Sequence, residues 1–247
     1  MPDNFTDRQL AILIDADNAP RSALKEIMEE AATYGTVVIK RIYGDWTTPN
    51  METWKPLLLQ NAITPVQQYA YTTGKNATDS AMIIDAMDIL YTRGMDGFVL
   101  VSSDSDFTRL ATRLRESGMV VYGMGEKKTP AAFTAACDKF VYIEAITGKA
   151  DELADGDEEE SAARPVAKQG NRVGRETTKL IARCIAEVAD DDGWARLSDL
   201  GNQLLKRKPN FDSRNFGYSK LSAMMRDIDR FEMARQSGEP AVRDTRA

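Results

Sequence analysis

A chain of 247 residues with 43% hydrophobic and 28% charged side chains is long enough for one large domain plus a small one, or for two of medium size. The histidine count is zero, which excludes Ser-His-Asp and Cys-His catalysis, His-ligated zinc and a His general base, and the two isolated cysteines, Cys137 and Cys184, add no zinc site. The net charge of −6 is uneven: residues 1–150 carry 15 basic and 19 acidic side chains, residues 151–160 seven acids and no base, and residues 161–247 17 basic and 12 acidic side chains, so an acidic unit is joined to a mildly basic one, as suits a nucleic-acid partner.

Along the chain, residues 9–14 predict a short apolar strand and residues 20–34 a helix, with Pro20 near its first turn and Gly35 at its end. Residues 36–43 are β-rich, 51–60 helical, and 63–69 a further strand. Residues 78–91 read as a helix with Thr78 as its N-cap. Residues 98–102 (FVLVS) read as a buried strand, 107–117 as a helix closed by Gly118, 119–124 as a strand, 131–136 as a short helix and 140–143 as a last strand. Strands alternating with helices predict an α/β fold with a parallel, doubly wound sheet. Residues 149–175 combine the acid run DELADGDEEE with low hydrophobicity and read as a flexible linker. Beyond it, residues 176–189, 194–205 and 218–225 predict three helices and residues 231–235 a short strand, a small unit of winged-helix size spanning 176–240. No apolar run approaches the ~20 residues of a membrane span. The segment MPDNFTDRQL has no basic region followed by an apolar stretch, and the cysteines read as buried free thiols, so the expected setting is the reducing cytoplasm, with no membrane.

Four aspartates carry the chemistry. Asp15 closes the run LAILI, Asp104 and Asp106 follow FVLVSS, and Asp79 lies in the first turn of its helix, where the dipole favours an anion. In an open α/β sheet, ligands bind beyond the carboxyl ends of the strands where strand order reverses, so these segments can converge. Clustered carboxylates repel, and a cation held among them relieves that repulsion. With no histidine and no paired cysteines, the ion is a hard one on oxygen ligands, Mg²⁺ or Mn²⁺. The predicted ligands are Asp15, Asp79 and Asp104, with Asp106 joining them in catalysis. Asn18, Asp17 and Ser103 are supporting groups, and Ser102 offers a further hydroxyl. Asp85, six residues past Asp79, points about 120° away on the same helix and ranks lower, as a neighbouring or surface charge. Asp106 can equally cap the helix that follows it. Lys127 and Lys128, in the loop GMGEKKTP after a strand, can contact a nucleic-acid backbone, although that loop lacks the glycine and lysine pattern of a nucleotide fingerprint. Trp46, Trp54, Tyr69 and Tyr71 are available for base stacking or for the core.

Taken together and in order, DADN, TDSAMIIDAM, SSDSDF and GMGEKKTPAAFTAACDKFVYIE closely resemble the NYN domain, of the PIN-like nuclease superfamily, over roughly residues 8–147. The resemblance implies a Rossmann-like fold in residues 1–148 and a metal-dependent ribonuclease site. It maps Asp15, Asp79 and Asp104 onto the family's acidic core and Asn18 and Asp106 onto its supporting positions. Ser103 and Ser105 stand where many relatives have the glycines of GDGDF.

In the C-terminal region, GWARLSDLGNQLLKRKPNFDSRNFGYSKL resembles the OST-HTH, or LOTUS, domain, which implies RNA binding and, in some members, protein partners. Lys206, Arg207 and Lys208, with Arg214 and Lys220, are the candidate phosphate contacts. The leading expectation is a metal-dependent ribonuclease with an RNA-targeting domain. Alternatives are a catalytically weak RNA-bound adaptor and, from the D-x-D start of ILIDADN, a haloacid dehalogenase-type phosphatase, for which a suitably placed lysine is missing.

Overall fold

The first strand, β1 (Gln9–Asp15), shows how the fold is specified. Leu10, Ile12 and Ile14 pack into one apolar cluster and Ala11 and Leu13 into another, on the opposite face. A strand buried on both faces belongs in the interior of a parallel sheet with helices on each side. That is the arrangement in the computed structural model, which describes residues 8–69, 77–148, 173–236 and 238–246 in two compact units, Met1–Thr147 and Gly148–Ala247.

In the first unit β1 is joined by β2 (Thr36–Gly44), β3 (Thr64–Gln67), β4 (Gly97–Val101), β5 (Val120–Gly125) and β6 (Lys139–Tyr142) in one parallel sheet of order β3-β2-β1-β4-β5-β6. Helices α1 (Leu24–Ala32) and α2 (Lys55–Asn61) cover one face, together with α6 (Ile143–Ile146). Helices α3 (Ala77–Thr92), α4 (Thr108–Glu116) and α5 (Ala131–Ala136) cover the other. This is the expected doubly wound α/β fold. The order reverses between β1 and β4, so the crevice beyond their carboxyl ends lies between Asp15 and Ser102. Gly118, at φ +83°, takes the left-handed conformation just past α4, as its position predicts. Ile143 opens α6 instead of closing the last strand. The side chain of Thr78 and residues 149–172 of the expected linker lie outside the described residues.

The second unit contains α7 (Arg175–Val188), β7 (Trp194–Arg196), α8 (Leu197–Arg207), α9 (Leu221–Asp227), β8 (Phe231–Gln236) and β9 (Glu239–Asp244). Its three strands form an antiparallel sheet of order β7-β9-β8, and Ile181, Ile185, Leu200, Leu204, Met224, Met225 and Val242 form its core. Two expectations are corrected here. Residues 194–196 are a strand, because Ala195 is buried opposite Val242 in β9, and the helix begins only at Leu197. The expected strand at 231–235 is present as β8, but it is one half of a hairpin with β9, where no second strand was expected. Among the described residues, no helix is long and apolar enough to cross a membrane.

Candidate metal centre

The run QLAILID ends by carrying a carboxylate to the buried edge of the sheet, and Asp15 is fully buried there. Its Oδ2 accepts from Asn18 Nδ2 and from Ser102 Oγ, both at 2.8 Å, and its Oδ1 accepts from the N–H of Asp17 at 3.0 Å. Burial outweighs these three donors, so the carboxyl group is pushed above its ordinary pKa. Ser102 also accepts from the N–H of Asp104 at 3.1 Å, so one hydroxyl couples the ends of β1 and β4.

Past Ser102 the chain turns through Ser105–Phe107, a short 3₁₀ turn pinned by the fully buried Phe107. Asp104 caps that turn: its Oδ1 accepts from the N–H of Asp106 at 2.9 Å. Ser103 Oγ accepts from the N–H of Glu126 at 2.9 Å and thereby ties the loop after β4 to the loop after β5. Gly125 is needed beside it, since a Cβ there would lie 2.5 Å from the carbonyl oxygen of Ser102. Its companion Gly123 faces Phe140 and Cys137 at similarly short range. The glycines of GMGEKKTP therefore serve close packing.

Asp79 reaches the site from α3 and is only 8% exposed. Carboxylate oxygens of Asp79, Asp104 and Asp106 lie within 4.8 Å of one another. Burial, followed by the charges of Asp15, Asp104, Asp106 and Asp17, raises the Asp79 pKa from 3.8 to about 6. Three converging carboxylates that repel one another are a donor set suited to a hard divalent cation, and their chemistry fits the expected Mg²⁺ or Mn²⁺. Asp106 completes the group of three, and Asp15 sits beside it, hydrogen-bonded through both oxygens and first among the charges acting on Asp79. The sequence pattern named Asp15, Asp79 and Asp104 as ligands with Asp106 in support, and the three tightest carboxylates include Asp106. The exposed Asp17 contributes its N–H to Asp15 and its charge to the field at Asp79.

The remaining sequence-selected residues fall differently. Lys128 is ion-paired with Glu126 at 2.5 Å, and the N–H of Lys127 is held by Glu144 at 2.9 Å. Trp54 is in the core, Trp46 donates from Nε1 to the carbonyl of Val66 at 2.9 Å, and Tyr69 is exposed. Tyr71 lies outside the described residues. In the second unit, Arg207 is engaged by Glu187, with Nε 3.1 Å from Oε2, and Gln203 Nε2 holds the same carboxylate at 2.7 Å, so this arginine fastens α8 to α7. Lys206 is exposed and Lys208 half-buried. Arg214 pairs with Asp212 at 2.6 Å. Phe211 and Phe216 pack against each other in the loop, 5.9 Å between centroids with the rings tilted by 40°. No sequence signal marked the acid at position 187 as the partner of Arg207; two exposed helix faces twenty residues apart hold no shared period.

Comparison with known proteins places these features. Residues 9–144 match the model of the NYN domain family, and residues 173–242 match that of the OST-HTH/LOTUS domain. Among curated proteins nothing matches. Among solved structures, a protein of unknown function from Vibrio parahaemolyticus is 21% identical, with a TM-score of 0.47 over 58% of this chain and 96% of its own. An uncharacterized protein from Nitrosomonas europaea is 30% identical, with a TM-score of 0.28 over 36% of this chain and 91% of its own.

Proposed function

The chain belongs to the NYN domain family, within the PIN-like nucleases, and carries an OST-HTH/LOTUS domain of the RNA-binding type; from this premise we propose that it is a metal-dependent ribonuclease that hydrolyses RNA phosphodiesters. In this reading residues 1–148 cut and residues 176–240 bring RNA to the cutting unit, raising its local concentration. The observation that carries the reading is the convergence of Asp79, Asp104 and Asp106 where the strand order reverses.

Asp79, Asp104 and Asp106, with Asp15 beside them, would hold Mg²⁺ or Mn²⁺. Such an ion, when bound, lowers the pKa of its water and neutralises charge on the scissile phosphate. The protein's part is positioning. Ser102 fixes Asp15 and the Asp104 backbone relative to each other, and Asn18 Nδ2 donates a second hydrogen bond to the same Asp15 oxygen. Ser103 holds the loop from behind through Glu126. Phosphodiester hydrolysis of this kind needs no histidine, in keeping with a chain that has none.

The test is incubation of purified protein with a mixture of labelled RNAs in Mg²⁺, Mn²⁺ or EDTA. Cleavage is expected with either metal and none with EDTA. Asp104→Asn should abolish it while keeping the fold, because the amide oxygen can still accept from the N–H of Asp106. Cleavage by purified Asp104→Asn at the wild-type rate would remove the assigned site. RNA binding by wild type without cleavage in any metal would instead leave an RNA-bound adaptor.

A further inference from the structure

Little in the sequence of α3 fixes how the helix is turned about its own axis. Its run AMIIDAMDILY is apolar on every side: Met82, Ala86 and Ile89 are buried against the sheet, while Ile84 and Tyr91 are 63% and 68% exposed. A helix with faces of similar hydrophobicity buries similar area in several rotational settings. Asp85 distinguishes them. One of its carboxylate oxygens accepts from Arg41 Nη1 and the other from the hydroxyl of Tyr43, both on β2. Tyr43 is fully buried and the Arg41–Asp85 pair mostly so. Turning or sliding α3 would strand a carboxylate, a guanidinium and a phenol where water cannot fully replace the lost partners.

Tyr43 has a second attachment. It lies opposite Asp15 in the β-ladder, and its carbonyl accepts from the N–H of Ala16 at 2.9 Å. One residue therefore joins the end of β1, which carries Asp15, to the helix that carries Asp79.

We infer that Arg41, Tyr43 and Asp85 form a polar clamp that sets the rotation of α3 and so holds Asp79 against Asp104 and Asp106 for cation binding. The inference rests on the metal-site reading above. These are positioning residues, since Asp85 is not one of the three converging carboxylates. The leverage is short. Asp79 is six residues from Asp85, about 9 Å along the axis, and its carboxylate lies roughly 5 Å from that axis, so a turn of ~10° displaces it by about 1 Å. A misplacement of ~1 Å at a reacting centre costs about a hundredfold in rate.

The test compares the full-length wild type with Asp85→Asn and Tyr43→Phe, the latter removing a single hydroxyl and remaining available if the former does not fold. Mn²⁺ binding is read by electron paramagnetic resonance of the free ion, and hydrogen exchange of α3 is read in EDTA. The clamp predicts Mn²⁺ affinity at least about tenfold weaker in Asp85→Asn, a smaller loss in Tyr43→Phe, and faster exchange in α3 with β1 and β4 unchanged. It also predicts a lower kcat on RNA with KM unmoved. A lowered Tm with wild-type Mn²⁺ affinity in both variants would make the contacts purely structural and overturn the inference. If wild type binds no Mn²⁺, the metal-site reading fails and exchange alone decides the clamp: unchanged exchange of α3 in both variants refutes it.

Discussion

In the metal-free protein Asp79→Asn should be stabilising, and the gain should depend on pH in a defined direction. Asp79 is held at a pKa of about 6 against an ordinary 3.8, first by burial and then by the neighbouring aspartates. A carboxyl group whose folded pKa is raised binds its proton more tightly in the folded state. Its destabilising effect is therefore absent below about pH 4, grows between about 4 and 6, and is complete above that. A shift of roughly two units corresponds to about 3 kcal/mol as an upper bound. Asp104 is half-exposed and Asp106 exposed, so solvent screens part of the repulsion, and about 1–2 kcal/mol is the expected gain. For a unit of this size that raises Tm by about 3–6 °C. The assay is thermal unfolding followed by near-UV circular dichroism in EDTA, at pH 7.5 and pH 4. The variant should melt higher at pH 7.5, and most of the gap should close at pH 4. Millimolar Mg²⁺ should raise the wild-type Tm and leave Asp79→Asn behind. A variant no more stable than wild type at pH 7.5 in EDTA, or a gap that persists unchanged at pH 4, would refute the idea that these carboxylates repel one another across a shared site.

In the second unit, Lys206→Ala with Lys208→Ala should weaken RNA binding across sequences and reduce its salt dependence by about two contacts, read by fluorescence anisotropy at several salt concentrations, with Tm unchanged. Arg207→Ala should lower Tm, because it removes the bracket between α7 and α8; an unchanged Tm counts against that assignment. The Arg230 guanidinium holds Asp244 below the ordinary carboxylate pKa, so this pair stabilises above about pH 4 and loses that effect on further acidification, opposite in sign to Asp79. Asp244→Asn should flatten the acid limb of the unit's unfolding curve, and a limb identical to wild type excludes the pair as its cause. Burial pushes the Cys137 thiol up to about 12 and also raises that of Cys184, so neither should react with iodoacetamide before unfolding, as mass spectrometry of the native protein would show.

The α/β unit was legible because its signals are local. Runs such as AILI and FVLV are too apolar for a half-exposed strand, and their alternation with helices admits few topologies. The acids stood out for the same reason, as charges abutting buried strands. What escaped the sequence depends on pairing across distance. Trp194–Arg196 continues the helical spacing of α8 backwards, and only β9, more than forty residues on, makes it a strand. The strand EPAVRD contains a proline and three charges and carries no period of its own. Asp85 looked like a surface charge because Arg41 and Tyr43 reach it from another element. The same holds for Arg207, whose partner sits on α7. The entry of Asp106 into the converging group is geometric: a 3₁₀ turn of three residues swings its carboxylate towards Asp79 and Asp104.

The crowding of Asp79, Asp104 and Asp106 also sets the direction in which such a chain drifts when nothing preserves it. Most substitutions cost stability, yet neutralising Asp79 relieves burial and repulsion in the metal-free protein, so its loss runs thermodynamically downhill. A descendant released from any need of this site would lose Asp79 early and emerge as a sturdier protein. Chains of this architecture that lack the acids are then expected to be robust binders with high melting points rather than decaying remnants. A protein that keeps Asp15 and Asp79 ionised at neutral pH carries a standing burden on its fold that a bound cation would relieve.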